Sequence, residues 1–70
     1  MNELNLGKKI KDGIRLRGWN QSDFLKILEE NGTAVTRASL SNWISGKHAP
    51  SAEHIRVIGK IFDEHEPLIK

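Results

Sequence analysis

Apolar residues recur along most of the chain at the three- and four-residue intervals of α-helices, and glycine or proline separates the segments. No stretch alternates apolar and polar residues over a useful length, so strands are not expected. The pattern predicts a small, compact all-α domain of four to five helices. The first helix is expected at about 5–17, the second from 21 to 29–32, the third at 37–45 and the fourth from 52 to about 62.

The helix ends carry separate signals. Asparagine, threonine and serine are preferred N-caps, because their side chains accept hydrogen bonds from free N–H groups of the first turn. Glycine after a helix readily adopts the left-handed conformation that ends it. These preferences predict N-caps at Asn20, Thr36 and Ser51, and helix stops at Gly18, Gly32 and Gly46.

The apolar spacing also predicts which side chains face inward. Gly13 lies within the first helix, where glycine costs about 1 kcal/mol relative to alanine, so we expect Trp19 or Phe24 to approach it closely. Residues 63–66 are predicted to form a fraying acidic tail, after which Leu68 and Ile69 pack on the core. The predicted core comprises Leu6, Ile10, Ile14, Trp19, Phe24, Leu25, Ile27, Leu28, Leu40, Trp43, Ile44, Ile55, Ile58, Ile61 and Phe62.

The composition narrows the class of protein. The 70 residues suffice for one domain, with a core at about 5–62 and a short tail at 63–70. The chain contains no cysteine, which excludes disulfides and cysteine-ligated zinc and fits a reducing cytoplasm. No apolar stretch is long enough to span a membrane, and residues 1–7 lack the pattern of a signal peptide. A membrane is therefore not an expected partner.

Candidate chemistry for an enzyme is absent from the pattern. The spacing of His48, His54 and His65 matches no zinc motif, so we expect no metal site. No glycine-rich phosphate loop or nucleophile elbow appears, and the core is too small to enclose a cofactor. We therefore expect no enzymatic activity and no cofactor.

The third predicted helix carries residue types that are able to read DNA bases. Arginine contacts guanine and asparagine contacts adenine through paired hydrogen bonds in the major groove, where serine makes smaller contacts and alanine can touch a thymine methyl group. We name Arg37, Ala38, Ser39, Ser41 and Asn42 as candidate base-reading residues. The alternative interpretation is an ordinary solvated helix face, which charge alone does not exclude.

Several motifs occur in a characteristic order: LGKKIK at 6–11, RGWNQ at 17–21, VTRASLSNW at 35–43, GK at 46–47 and PS at 50–51. In this respect the chain resembles the lambda-repressor-like (Cro-type, XRE) helix-turn-helix family over about 6–62. The resemblance implies a double-stranded DNA-binding domain whose second and third helices form the helix-turn-helix. It also implies that Arg37, Ala38, Ser39 and Asn42 face bases, while Gln21 and Lys47 bind phosphates.

The free N–H groups at the start of the second helix independently favour a phosphate near Gln21. We name Asn20, Gln21, Thr36, Lys47 and His48 as candidate phosphate-binding residues. Net positive charge lies on 1–28 and 37–60, so Lys8, Lys9 and Arg15 are secondary candidates, equally explained as a solvated face.

The chain departs from the family pattern at two places. An extended turn at 29–34 replaces a tight turn between the second and third helices, and Leu25 stands where a small residue is usual. In the first helix, Gly13 replaces a residue that is usually large and apolar, and Ile14 is apolar where the family is often basic. These differences predict altered helix crossing and docking geometry.

The sequence-based hypothesis is a small transcriptional regulator, a repressor of the phage or mobile-element type. A monomer makes few phosphate contacts, so we expect a homodimer on two half-sites about 34 Å apart. The pattern shows no separate dimerisation segment after 62, so we expect pairing on DNA through the fourth helix or 66–70.

Two other functions stay open. The first is a protein-interaction module of the same fold, an antirepressor or an antitoxin-like domain, which would present apolar anchors rather than the polar third helix. RNA binding is less suited, because the A-form major groove is too narrow for a helix and no base-stacking platform is evident.

Overall fold

The computed structural model describes residues 6–68, and these form four helices joined by short connections. Helix α1 spans Leu6–Leu16, α2 Gln21–Glu30, α3 Arg37–Ser45 and α4 Ala52–Glu64, with no strand in this part of the chain. The prediction of an all-α domain is confirmed. Position 5, the expected start of the first helix, and Ile69 of the predicted tail contact lie outside the described residues.

Three predicted N-caps are confirmed by side-chain hydrogen bonds. Asn20 Oδ1 accepts from the Asp23 N–H at 2.8 Å, and Asp23 Oδ2 accepts from the Asn20 N–H at 3.0 Å, which makes a reciprocal capping box. Thr36 Oγ1 accepts from the Ser39 N–H at 3.1 Å, and Ser51 Oγ accepts from the His54 N–H at 3.2 Å. Local sequence therefore fixes where three helices begin.

The core contains one apolar stripe from each helix. Helix α1 packs against α3, and α2 packs against both α3 and α4. Half-buried side chains surround this core, among them Leu6, Trp19, Leu25, Ile44 and Phe62. The buried hydrophobic residues in the described part are Ile10, Ile14, Phe24, Leu28, Leu40, Trp43, Ile58 and Ile61.

The prediction that Ile55 faces inward is wrong. Its side chain is 43% exposed, because the first turn of α4 lies at the rim of the core rather than over it. The apolar spacing of α4 continues one turn beyond the surface that the other helices cover. Ile55 is therefore available to a partner outside the described fold.

Two glycines allow other elements to approach α1. A Cβ at Gly7 would lie 2.5 Å from the carbonyl oxygens of both Trp43 and Ile44, so the backbones of α1 and α3 nearly touch there. A Cβ at Gly13 would overlap the ring of Phe62. The close neighbour of Gly13 is thus Phe62 of α4, and the expectation of Trp19 or Phe24 is wrong.

Arg17 holds the end of α4, so the prediction of a fraying tail at 63–66 is also wrong. Its guanidinium donates to the carbonyl oxygens of Gly13, Phe62 and His65 at 3.0, 2.8 and 2.6 Å. The His65 ring packs edge-on against Trp19, with centroids 5.2 Å apart. A cation is favoured at a helix C-terminus because unpaired carbonyl groups face it, and α4 accordingly continues to Glu64.

The sequence predicts that Leu68 packs on the core through its side chain. The structure instead holds Leu68 chiefly by a backbone hydrogen bond. The Leu68 N–H donates to the Leu16 carbonyl oxygen at 2.8 Å, while the side chain is 75% exposed. Its Cδ1 atom would lie 2.9 Å from a Cβ at Gly18. The segment after α4 is therefore attached to the end of α1.

The two kinds of glycine environment make a testable contrast. Replacing Gly7 by alanine should lower the free energy of unfolding by about 1–3 kcal/mol, since the added methyl group meets backbone that cannot move alone. Replacing Gly59 by alanine should raise the free energy of unfolding by up to about 1 kcal/mol, because a Cβ there meets nothing within 4 Å. Urea unfolding followed by far-UV circular dichroism measures both. Equal effects of the two substitutions would contradict the close α1–α3 contact.

Candidate nucleic-acid interface

Helix α3 presents its N-terminal half to the exterior. Leu40 and Trp43 are buried, and these positions lie three residues apart on the side of α3 that packs inward. Arg37, Ala38 and Ser41 are consequently exposed. Of the remaining candidate base-reading residues, Ser39 and Asn42 are half-buried at the edges of the exposed side.

The first turns of α2 and α3 meet at the surface. The Arg37 guanidinium donates through Nη2 to Ser22 Oγ, a contact between the first residue of α3 and the second residue of α2. We call the surface formed by Gln21, Ser22, Arg37, Ala38 and Ser41 the α2–α3 face. Four of its five residues are exposed, and Gln21 is half-buried.

Ser22 is a site residue that sequence reasoning missed. Its position in the first turn of a helix was visible, but its partner lies 15 residues away along the chain. Neither helical periodicity nor capping preference reports which side chains meet across two helices. Ser22 holds the Arg37 guanidinium at the α2–α3 face and so limits the directions in which it points.

The N-terminus of α2 retains free donors beside this contact. The N–H groups of Asn20 and Asp23 are occupied by the capping box, whereas those of Gln21 and Ser22 have no acceptor among residues 6–68. Free N–H groups at a helix N-terminus suit an anion. The Asp23 carboxylate offsets part of this positive end, and the Asn20 side-chain oxygen is committed to its cap.

Thr36 and Ser39 share a local hydrogen-bond pair at the start of α3. Thr36 Oγ1 caps the Ser39 N–H and also donates to Ser39 Oγ at 3.0 Å. The Ser39 hydroxyl group keeps its own hydrogen as a donor. Thr36 therefore acts mainly as a cap, while Ser39 can still make one outward hydrogen bond.

The structure places Lys47 and His48 at the other end of α3. Both are exposed, and the His48 N–H donates to the Asn42 carbonyl oxygen at 3.2 Å, which folds the turn back onto α3. A nine-residue helix is about 13 Å long, so these residues are well separated from Arg37. The candidate phosphate-binding residues thus form two groups at the two ends of α3.

The basic side chains of α1 are partly neutralised within the chain. Lys8 Nζ lies 2.8 Å and Arg15 Nη2 3.5 Å from the Asp12 carboxylate oxygens. The hydrogen bond from Lys8, with a smaller contribution from Arg15, lowers the pKa of Asp12. Lys8 and Arg15 consequently contribute less net positive charge to the surface than the sequence implies.

The described residues contain no group of three histidine or acidic side chains that could hold a metal ion. His54 instead contacts Ser51 Oγ through Nδ1 at 3.0 Å and packs on Trp43, with ring centroids 5.0 Å apart. None of the helices between 6 and 68 is long and apolar enough to cross a membrane. Comparison with protein-family models, curated proteins and solved structures finds no match.

The cap at the start of α3 can be tested separately from any ligand. Replacing Thr36 by alanine should lower the free energy of unfolding by about 1 kcal/mol, because the Ser39 N–H loses its acceptor. The matched control is Thr33→Ala in the same connection, where the threonine side chain caps no helix. Urea unfolding measures both variants. A loss for Thr33→Ala as large as that for Thr36→Ala would contradict the capping role.

Proposed function

We propose that the protein binds double-stranded DNA sequence-specifically by inserting α3 into the major groove, as a small transcriptional regulator of the lambda-repressor-like helix-turn-helix type. The observation that carries the proposal is the Arg37–Ser22 contact. It joins a base-reading side chain to a helix N-terminus with free N–H groups. Base edges and backbone phosphates lie similarly close together along the wall of a DNA groove.

The exposed side of α3 supplies the base contacts in this proposal. Arg37 would exchange its Ser22 contact for guanine O6 and N7, or keep it and approach the base from a fixed direction. Ala38 would touch a thymine methyl group, and Ser39 and Ser41 would each make a single hydrogen bond. Asn42, at the edge of the exposed side, would reach adenine.

Phosphates on the two sides of the groove would be bound at the two ends of α3. The free N–H groups of Gln21 and Ser22, with the Gln21 side chain, would bind one phosphate. Exposed Lys47 and His48 would bind another. Such contacts do not depend on base sequence. They would fix the position of α3 along the groove and so determine which bases its side chains meet.

We also propose that the protein acts as a homodimer on two half-sites about one helical turn apart. One copy offers few phosphate contacts, and two copies double them. Binding requires no cofactor. A protein antirepressor that covered the α2–α3 face would release the DNA.

The function is tested with a duplex selected by the protein from a random pool. Fluorescence anisotropy should show tighter binding to the selected duplex than to a scrambled one, by about 10³-fold or more, with a steep decrease as salt rises. A preference of this size is the selectivity that a transcriptional regulator requires. Failure to enrich any sequence, or equal binding of the selected and scrambled duplexes, would contradict sequence-specific binding.

Individual side chains should separate into two classes. Arg37→Ala and Asn42→Ala should each reduce the preference for the selected duplex by about 1–3 kcal/mol, since they remove base contacts. Gln21→Ala should weaken both duplexes about equally, since it removes a phosphate contact. Lys60→Ala, which removes a positive charge from α4, is the control for Arg37. Uniform loss on both duplexes for Arg37→Ala would contradict its base-reading role.

A protein-interaction module is the second candidate function, and one observation favours it. Ile55 is exposed beside an almost entirely apolar groove between α1 and α4. Exposed aliphatic anchors of this kind are typical of protein contacts. Apart from Lys9, a secondary candidate, no candidate DNA-binding residue lines this groove, so the two functions use largely different surfaces.

A further inference from the structure

The groove between α1 and α4 is a concave surface with an almost entirely apolar lining. It has a volume of about 180 Å³. We call it the α1–α4 groove; it is lined chiefly by Leu6, Lys9, Ile10, Ile55, Gly59 and Phe62. Lys9 is the one charged side chain among these six, and its aliphatic part can cover apolar surface.

Gly59 is not required by the packing of the fold. Gly7 and Gly13 each sit where a Cβ would collide with another element, but a Cβ at Gly59 would meet nothing within 4 Å. Glycine in a helix interior nevertheless lowers helix stability relative to alanine. A small residue on an exposed helix side lets another backbone approach closely, and in this groove none of the backbone between residues 6 and 68 does so.

The charges beside Gly59 are self-complementary. Ile55, Gly59 and Phe62 lie along one stripe of α4, while Arg56 and Asp63 lie along the adjacent stripe, on opposite sides of Gly59 in sequence. Both charged side chains are exposed, and within residues 6–68 neither belongs to an ion pair. An identical helix running antiparallel would present the opposite charge to each of them.

We propose that a second copy of this chain docks on the α1–α4 groove, with the two α4 helices antiparallel and crossing at Gly59. In this arrangement the residues three and four positions before Gly59 on one copy lie beside the residues three and four positions after Gly59 on the other. Ile55 of each copy then enters the groove of the other beside Phe62. Arg56 of each copy lies near Asp63 of the other. Because a two-fold axis relates the copies, this ion pair occurs twice in the interface.

The proposed contact leaves the α2–α3 face free. Of the candidate base-reading and phosphate-binding residues, only Lys9, a secondary candidate, lines the α1–α4 groove. The groove is short, and interfaces of small area are usually weak, so the free protein should dimerise only at high concentration. This interface is the one through which the homodimer of the proposed function would form. It rests on the proposed function only in that the pairing serves to bind two half-sites on DNA.

Sedimentation equilibrium of the free protein, from micromolar to near-millimolar concentration, tests the proposal without DNA. The wild type should approach twice the monomer mass at the upper end. Arg56→Glu and Asp63→Lys should each weaken dimerisation at least tenfold, and the double variant should restore it. Lys26→Glu, the same kind of charge reversal at an exposed position of α2 that does not line the groove, should leave dimerisation within about twofold of the wild type.

Gly59→Gln separates loss of the interface from loss of the fold. Glutamine is a better helix former than glycine, so the urea midpoint of the monomer should rise while dimerisation falls. A monomer throughout the concentration range would overturn the proposal. So would dimerisation that the single reversals leave unchanged or that the double variant fails to restore.

The two proposals fail separately. Anisotropy with a duplex that contains one half-site measures DNA binding by a single copy. Normal half-site binding by a protein that never dimerises would overturn this inference and leave the proposed function intact. Dimerisation of the predicted kind in a protein that binds no selected duplex would do the reverse.

Discussion

The close contact between the backbones of α1 and α3 at Gly7 is the constraint on which the exposed surfaces depend. A glycine is needed there because a Cβ would lie 2.5 Å from two carbonyl oxygens of α3. The contact holds the C-terminal part of α3 against α1, with Leu40 and Trp43 inside. Because the sides of a helix face different directions, burying the side that carries Leu40 and Trp43 leaves Arg37, Ala38 and Ser41 outside.

The polar groups of the domain are used in two ways. Asn20, Thr36 and Ser51 cap helix N-termini, and Arg17 binds the carbonyl groups at the end of α4. These contacts stabilise the helix ends within the chain. By contrast, Ser41, Lys47 and His48 make no side-chain hydrogen bond within residues 6–68, apart from any with solvent. In the proposed function these three side chains contact DNA.

The sequence predicted the local features of this structure well. The helix bounds and N-caps follow from side chains within a few residues of each end, and Gly18, Gly32 and Gly46 have the expected positive φ angles. Features that join distant segments were not predicted. The Phe62 ring at Gly13, the Arg17 contacts with α4 and the Ser22–Arg37 contact all depend on how helices cross, which periodicity does not specify.

The most direct measurement is an NMR titration of the isotopically labelled protein with a selected DNA duplex. The account predicts that the amide signals of Gln21, Ser22, Arg37 and Ala38 shift together at the same DNA concentration, because one bound duplex covers the first turns of both helices. Signals of Lys47 and His48, at the far end of α3, should move in the same titration. Binding of the duplex with the signals of the α2–α3 face unchanged would contradict the account.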